Sequence, residues 1–369
     1  MEYLESIFLM TPFTGSYRAE DAIFLLKPMR LDMVDVATKE RLIQSGQRHY
    51  SEMLAPERAP DPHYRVLFET LTDRYAGRLA AEILALAGYL AASRPREITL
   101  VSLARAGTPI GALLVRALRR LGRADAKHYS ISIIRDRGID ENALRHILHQ
   151  EGREPAGLAF VDGWTAKGVI GEELRRALAR WNTHQPERLD EALHVVSDIG
   201  GVADVAATDD DYAIPSGILN ATVSGLTSRS ILNTAIGPHD FHGCVFYADF
   251  APHDRSTWFL DQVTNRFADV ALASLSGDDG RRKARREAMN AFLERLHTRY
   301  RIGDRNFIKP GVAEATRVLL RRLPDLLLLR DPDAPDVAHL RLLADQKRVA
   351  VVVDPAMPIQ ATALIKDLS

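Results

Sequence analysis

The chain carries a single cysteine, Cys244, in 369 residues. No intrachain disulfide is possible, and the expected setting is a reducing one, the cytoplasm. Net charge is nearly absent too: 48 basic side chains face 49 acidic ones, for a formal charge of -1. A global field drawing the chain to nucleic acid or a membrane is thereby excluded, so any such attraction must be local. Aromatic residues make up only 7%, and none follows Phe307. Stacking of single-stranded bases is therefore not expected of the C-terminal stretch. No apolar run approaches a membrane span, so no membrane partner is expected. Glu2 and Glu5, with no basic region before an apolar run, argue against a secretory leader. Internal repeats and low-complexity tracts are also missing.

What is present is an alternation of short apolar runs and helical patterns. Hydrophobic residues reach 46%, ample for sizeable cores. Residues 1–60 read as irregular and partly helical, with Phe8, Phe13 and Tyr17 as anchors. Three prolines in 55–62 predict a linker. Tyr64 to Ala92 is helical by its apolar spacing. A strand over 98–103, a turn, and a helix to about Leu121 follow. His128 to Ile134 is a second strand, ending at Arg135, Asp136, Arg137 and Gly138. Residues 139–152 read as either a helix or a mobile flap. Leu158 to Val161 is a third strand, followed by Asp162, a tight loop over Gly163 to Gly168, and a helix to Trp181. His194 to Ile199 is a further strand. This order predicts an α/β fold with a mostly parallel sheet and helices on both faces.

A boundary falls between 275 and 310. Ser276 to Gly280 reads as a loop, and Arg281 opens a basic helix to about Arg299. Beyond it come a helix (312–322), a strand (325–329), a helix (336–347) and a strand (349–353), which make a small α/β module. The domains read as 1–275, a basic helical linker at 276–304, and 305–369.

Ligands of open parallel sheets sit beyond the C-terminal ends of the strands. Arg105, Arg135 and Asp162 all lie at such ends. The turn Ala104, Arg105, Ala106, Gly107, Thr108 has small residues that let the backbone approach an anion, and Arg105 adds a charged fork. Pro109 suits the first turn of the helix that follows. The loop after Asp162 offers amides and hydroxyls at a helix N-terminus, where anions are favoured.

Taken together, Ser102–Gly111, His128–Asp140, Val161–Gly168, Asp211–Asn220 and Phe241–Cys244 resemble the bacterial StiP-like family. The resemblance covers roughly residues 5–275. That family in turn resembles the type I phosphoribosyltransferases, is associated with tellurite-resistance stress operons, and is also labelled as cysteine proteases. It implies a sheet of type I phosphoribosyltransferase type with an N-terminal and inserted hood. Residues from about 305, through Lys309–Gly311, Glu314–Thr316, Pro324–Asp325 and Arg330–Asp333, resemble the Pelota-type RNA-binding module.

The resemblance implies transfer of a phosphoribosyl group from phosphoribosyl pyrophosphate to a base-like acceptor, with magnesium carried by the pyrophosphate. Asp162, Arg105 and Arg135 would be the catalytic group. Ala104, Ala106, Gly107 and Thr108 would hold pyrophosphate. Gly163, Trp164, Thr165, Ala166, Lys167 and Gly168 would hold the 5′-phosphate, and Arg137 would belong to a mobile flap. Such loops usually carry two adjacent acids. Here Gly163 replaces the second, and Trp164 and Lys167 intrude.

Two other readings compete. Cys244, with His242 two residues away on one strand face, outlines a thiol protease; His239, His253, Asp240 and Asp249 are the neighbours available to it. A lone cysteine before Val245, Phe246 and Tyr247 is also an ordinary small hydrophobe. The other reading is a sensor that binds a nucleotide or RNA without turnover. Lys309, Arg317, Arg321, Arg322 and Arg330 would supply its RNA-binding charge. Asp209, Asp210 and Asp211 read as a solvated turn before a metal site. Ser216, Asn220, Ser224 and Ser228 recur at helical spacing and predict a polar helix face, with Arg229 placed to meet a phosphate.

Overall fold

A computed structural model describes residues 12–275 and 279–368. Phe8 and positions 276–278 of the expected loop lie outside the described residues. Six strands run parallel in the order Ile23–Leu25, Lys127–Ile134, Thr99–Ala104, Leu158–Thr165, Leu193–Asp198 and Val205–Thr208. Gly138–Ile139 adds a short antiparallel pairing to the end of Lys127–Ile134. The central strands are buried along nearly their whole length, as expected when helices cover both faces.

One face is covered by Pro62–Ser93, Thr108–Arg120 and Ser256–Thr264. Pro62–Ser93 starts where Asp61 accepts a hydrogen bond from the Tyr64 amide at 3.0 Å and a proline occupies the first turn. Its Phe68, Leu79, Ile83 and Leu86 are wholly buried. Each contributes about 1.5–3 kcal/mol relative to exposure. The other face is covered by Glu141–Arg145 and Val169–His184, which pack Leu144, Leu174, Leu178 and Trp181 against the sheet.

The second module is a four-stranded mixed sheet, in the order Ile308–Pro310, Ala361–Ile365, Pro324–Leu329 and Ala350–Val353. Helices Val312–Arg321 and Ala338–Lys347 pack together on it. Its buried strand Ala361–Ile365 was not expected from the sequence. Among the described residues, no helix is long and apolar enough to cross a membrane.

Several expectations need correction. Ile23–Leu25 is an edge strand inside the stretch read as irregular, too short to display a period. Residues 55–60 have no regular structure, yet they are no free linker: Glu57 lies inside, its side chain 10% exposed. Residues 141–150 are helix, not a mobile flap, because Ala143, Leu144 and Ile147 are wholly buried. The helix Asp279–Arg299 is no free linker either. Its Met289, Phe292, Leu293 and Leu296 join one core with Ile308, Leu328 and Leu364 of the second module and Ala166 and Ile199 of the first. The polar helix face at 216–228 does not form: only two single 3-10 turns occur, Pro215–Gly217 and Ala221–Val223.

Candidate functional site

Asp162 sits just past the last pairing of its strand with Thr99–Ala104, and the turn after Thr99–Ala104 lies beside that strand. A Cβ on Gly107 would come 2.7 Å from the Val161 carbonyl oxygen, so this close approach requires glycine. Gly107 therefore lies against the Asp162 strand, and a Cβ on Gly163 would come 3.4 Å from the Ala106 carbonyl oxygen. The Thr108 hydroxyl does not face a ligand; it is buried and bonded to Ser130 Oγ at 2.6 Å.

The loop after Asp162 differs from expectation. Gly163, Trp164 and Thr165 continue the strand, with Trp164 paired to Ser197 and Thr165 to Asp198. Only Ala166, Lys167 and Gly168 remain as the turn into the next helix. Ala166 is packed under Met289 and Leu293, and Lys167 donates to the carbonyls of Arg305 (3.0 Å) and Ile308 (2.9 Å). The expected phosphate nest is thus largely sheet and inter-module contact. Sheet pairing overrides the glycine signal because Leu193–Asp198 is long enough to extend the ladder.

The second module docks on this point. The Trp164 indole donates to Glu314 at 3.2 Å, and the Arg317 guanidinium lies 4.7 Å over the Trp164 ring. Arg317 also pairs with Glu314 at 2.5 Å. Both keep more than a quarter of their side-chain surface, 29% and 28%, so they line a cleft rather than a sealed core. Burial pushes the Asp162 carboxyl up to about 7, against the pull of Arg317. Burial would raise Glu314 as well, but Arg317 and Lys309 hold it down to about 2. Lys167 is lowered to about 7 by burial and by Lys309.

The arginines expected at the ligand are committed elsewhere. Arg105 is 5% exposed and donates to Glu57 and to the Thr227 carbonyl, both at 2.5 Å. It therefore ties the hood to the sheet. Arg135 lies 5.6 Å from the Tyr50 ring and pairs with Asp136 at 3.0 Å. Arg137 pairs with Glu52 at 3.3 Å. Arg229 donates to the carbonyls of Tyr50 and Met53. A cavity of about 620 Å³ opens beside these groups, lined in part by Lys39, Glu57, Asn220, Arg229 and Arg321.

The cations assigned to RNA are also redirected. Arg321 donates to Asn220, Arg322 pairs with Glu40, and Lys309 and Arg317 stand near Glu314 in the cleft. These four face the first module, which sequence spacing does not reveal. The three acids 209–211 have separate partners. Asp209 pairs with Arg281 and Arg285, and Asp210 with Arg78. Asp211 accepts from the amides of Val312 and Gln360. Glu57 and Glu40 were missed, and Glu314 was read only as part of the Pelota-type pattern, with no role at the site. No local pattern marks these roles, because each acts through a partner distant in sequence or on a docked surface.

Cys244 lies on the short strand Gly243–Cys244, paired to Lys27–Pro28 and wholly buried. Burial pushes its thiol up to about 12. Among the described residues the sulfur has no hydrogen-bond partner. His242 Nδ1 contacts Ser132 Oγ at 2.7 Å, its amide donates to Asp140, and Asp240 pairs with Lys27. The thiol, imidazole and acid of a protease are not assembled here.

Residues 15–264 match the family model described as tellurite-like stress resistance cysteine protease StiP. A relative from Acinetobacter baylyi, cysteine protease StiP, is 41% identical over 98% of this chain and 96% of its own length. The chain belongs to the StiP family. Residues 287–367 of this StiP-family chain match the PELOTA RNA binding domain. Among solved structures, the hypoxanthine phosphoribosyltransferase of Trypanosoma cruzi is similar at 18% identity, covering 39% of this chain and 77% of that one, with a TM-score of 0.24. The same enzyme with its product IMP gives 14%, 40%, 80% and 0.23.

Proposed function

We propose that the StiP-family chain binds phosphoribosyl pyrophosphate over Asp162 and transfers its phosphoribosyl group to a base-like acceptor. The observation that carries this reading is Asp162 itself: a desolvated acid within Leu158–Thr165, just past the point where that strand's ladder to Thr99–Ala104 ends, raised to about 7 and acted on by Arg317. Ionised, it would accept hydrogen bonds from the ribose hydroxyls and favour the positive charge that develops on the sugar. Among the described residues no group of three or more histidine, cysteine or acidic side chains fits a metal ion. Magnesium would arrive with the pyrophosphate, with phosphate oxygens and water as most of its ligands.

Calorimetry of phosphoribosyl pyrophosphate with magnesium tests this on the wild type and Asp162→Asn. The variant should bind about tenfold more weakly, a loss near 1.4 kcal/mol. Absence of binding by the wild type would defeat the reading. Binding without pyrophosphate release across a panel of bases would make the chain a sensor instead. The description of the second module supports RNA as a further partner, and such binding should weaken steeply with salt.

The family description and the relative's name favour a second reading, a cysteine protease. With one cysteine in the chain, its nucleophile must be Cys244. That chemistry would require the strand to open, because the thiolate is the nucleophile and burial suppresses it. A proteolytic activity lost in Cys244→Ala would establish this reading, and one that survives would remove it.

A further inference from the structure

Lys309 is a cation whose one acidic neighbour, Glu314, is already paired with Arg317. Its ammonium has no hydrogen bond or ion pair among the described residues, although the side chain is only part-exposed. The charges that act on it are Glu314, Arg322, Arg135 and Arg317, so cations predominate. Arg322 is already bound to Glu40, and Arg317 shares Glu314 with it. Placing an unpaired ammonium among guanidinium groups is unfavourable unless an anion joins them. Across this cleft stands Asp162, which feels both Arg317 and Glu314.

The first module has little left to offer an anion at this point. Gly163–Thr165 lies within a strand, Lys167 is bound to two carbonyls of the second module, and Arg105 is tied to Glu57 and Thr227. The free donors are across the cleft. Arg317 uses one nitrogen on Glu314 and keeps 29% of its side-chain surface, enough to offer a second edge to a phosphate.

We propose that Lys309 and Arg317 of the second module form an anion subsite that completes the Asp162 site and holds the pyrophosphoryl group of a ribose-linked ligand. The assignment of the ribose to Asp162 rests on the reading above, whereas the anion subsite does not. The pyrophosphoryl group has two possible sources, phosphoribosyl pyrophosphate or the polyphosphate of a nucleotide. On this view the second module is part of the ligand site, and the position taken by a mobile flap in the sequence reading is filled by a docked helix.

The test uses the full chain and inorganic pyrophosphate as the first probe, then phosphoribosyl pyrophosphate and a nucleoside triphosphate. Lys309→Gln and Arg317→Gln should each weaken pyrophosphate about tenfold, Lys309→Gln with an unchanged melting temperature and Arg317→Gln with a lowered one because it also loses Glu314 and Trp164, and Lys309→Arg should restore binding. Affinity for pyrophosphate should also fall as pH rises through about 8, where Lys309 loses its charge beside Glu314, Arg317, Arg322 and Arg135; Lys309→Arg should flatten that profile. Asp162→Asn should leave pyrophosphate binding intact and remove only the extra affinity of the ribose-linked form. If the nucleotide binds more tightly than phosphoribosyl pyrophosphate, it is the source of the group; the reverse order assigns it to the sugar. Pyrophosphate binding that is absent, or indifferent to both Lys309→Gln and Arg317→Gln, overturns the subsite. Binding that responds to Lys309 while Asp162→Asn changes nothing for either ligand keeps the subsite and removes the phosphoribosyl reading.

Discussion

Asp162 and Cys244 are the groups on which the two functional readings rest, and the same burial leaves them in different states. Both are desolvated, and both are raised. For the carboxyl this ends near neutrality, where one proton can be gained or lost at working pH. For the thiol it ends near 12, where no useful thiolate exists. The difference lies in the starting points, since an ordinary carboxyl titrates near 4 and an ordinary thiol near 9. Asp162 faces a polar cleft with Arg317 and Glu314, while Cys244 belongs to an apolar core. Desolvation moves both groups the same way, and the ordinary pKa of each decides whether it is brought toward neutrality or away from it.

The largest effect is expected at the ion pair behind the cleft. Glu57→Ala leaves the Arg105 guanidinium buried without its acid, and chemical denaturation should show a loss of about 3–5 kcal/mol. A loss under 1 kcal/mol would mean that water already solvates Arg105. Next comes the docked surface. Trp164→Ala removes the Glu314 hydrogen bond and the Arg317 contact and should cost about 2 kcal/mol. Limited proteolysis should then cut more readily near residue 300.

Smaller effects test the two groups directly. Cys244→Ala should cost about 1 kcal/mol and leave phosphosugar binding intact. A native thiol that reacts with maleimide as quickly as it does in urea would contradict its burial. The smallest effect concerns pH. A carboxyl raised in the folded state is penalised once ionised, so stability falls as pH rises from the unfolded value near 4 through about 7. Asp162→Asn should therefore be more stable than the wild type at pH 8, with the gain vanishing toward pH 4. Solvent in the cleft should keep that gain to about 1 kcal/mol. Parallel melting curves at the two pH values would check it.

Much of the parallel sheet was legible because each strand is a short apolar run followed by a helix of the right period. Thr99–Ala104, Lys127–Ile134 and Leu193–Asp198 all fall within one or two residues of the sequence reading. The Asp162 position was legible for the same reason. The length of its strand was not, since whether Gly163–Thr165 forms a loop or ladder depends on a partner strand. Ile23–Leu25 has too few residues to announce itself. The roles of the cations were misjudged for a related reason. Lys309, Arg317, Arg321 and Arg322 look like an exposed basic face until the other module is placed against them.

Local patterning alone set most of the order of strands and helices, the single thiol, and the acid carried by the Leu158–Thr165 strand. These depend on local period and residue type. Only the tertiary structure decided which charges meet. Arg105 finds Glu57, 48 residues away, and Trp164 finds Glu314, 150 residues away. The same packing put the only thiol in an apolar core and the acid in a cationic cleft. Burial and pairing are properties of the assembled surfaces, and no spacing within one segment encodes them.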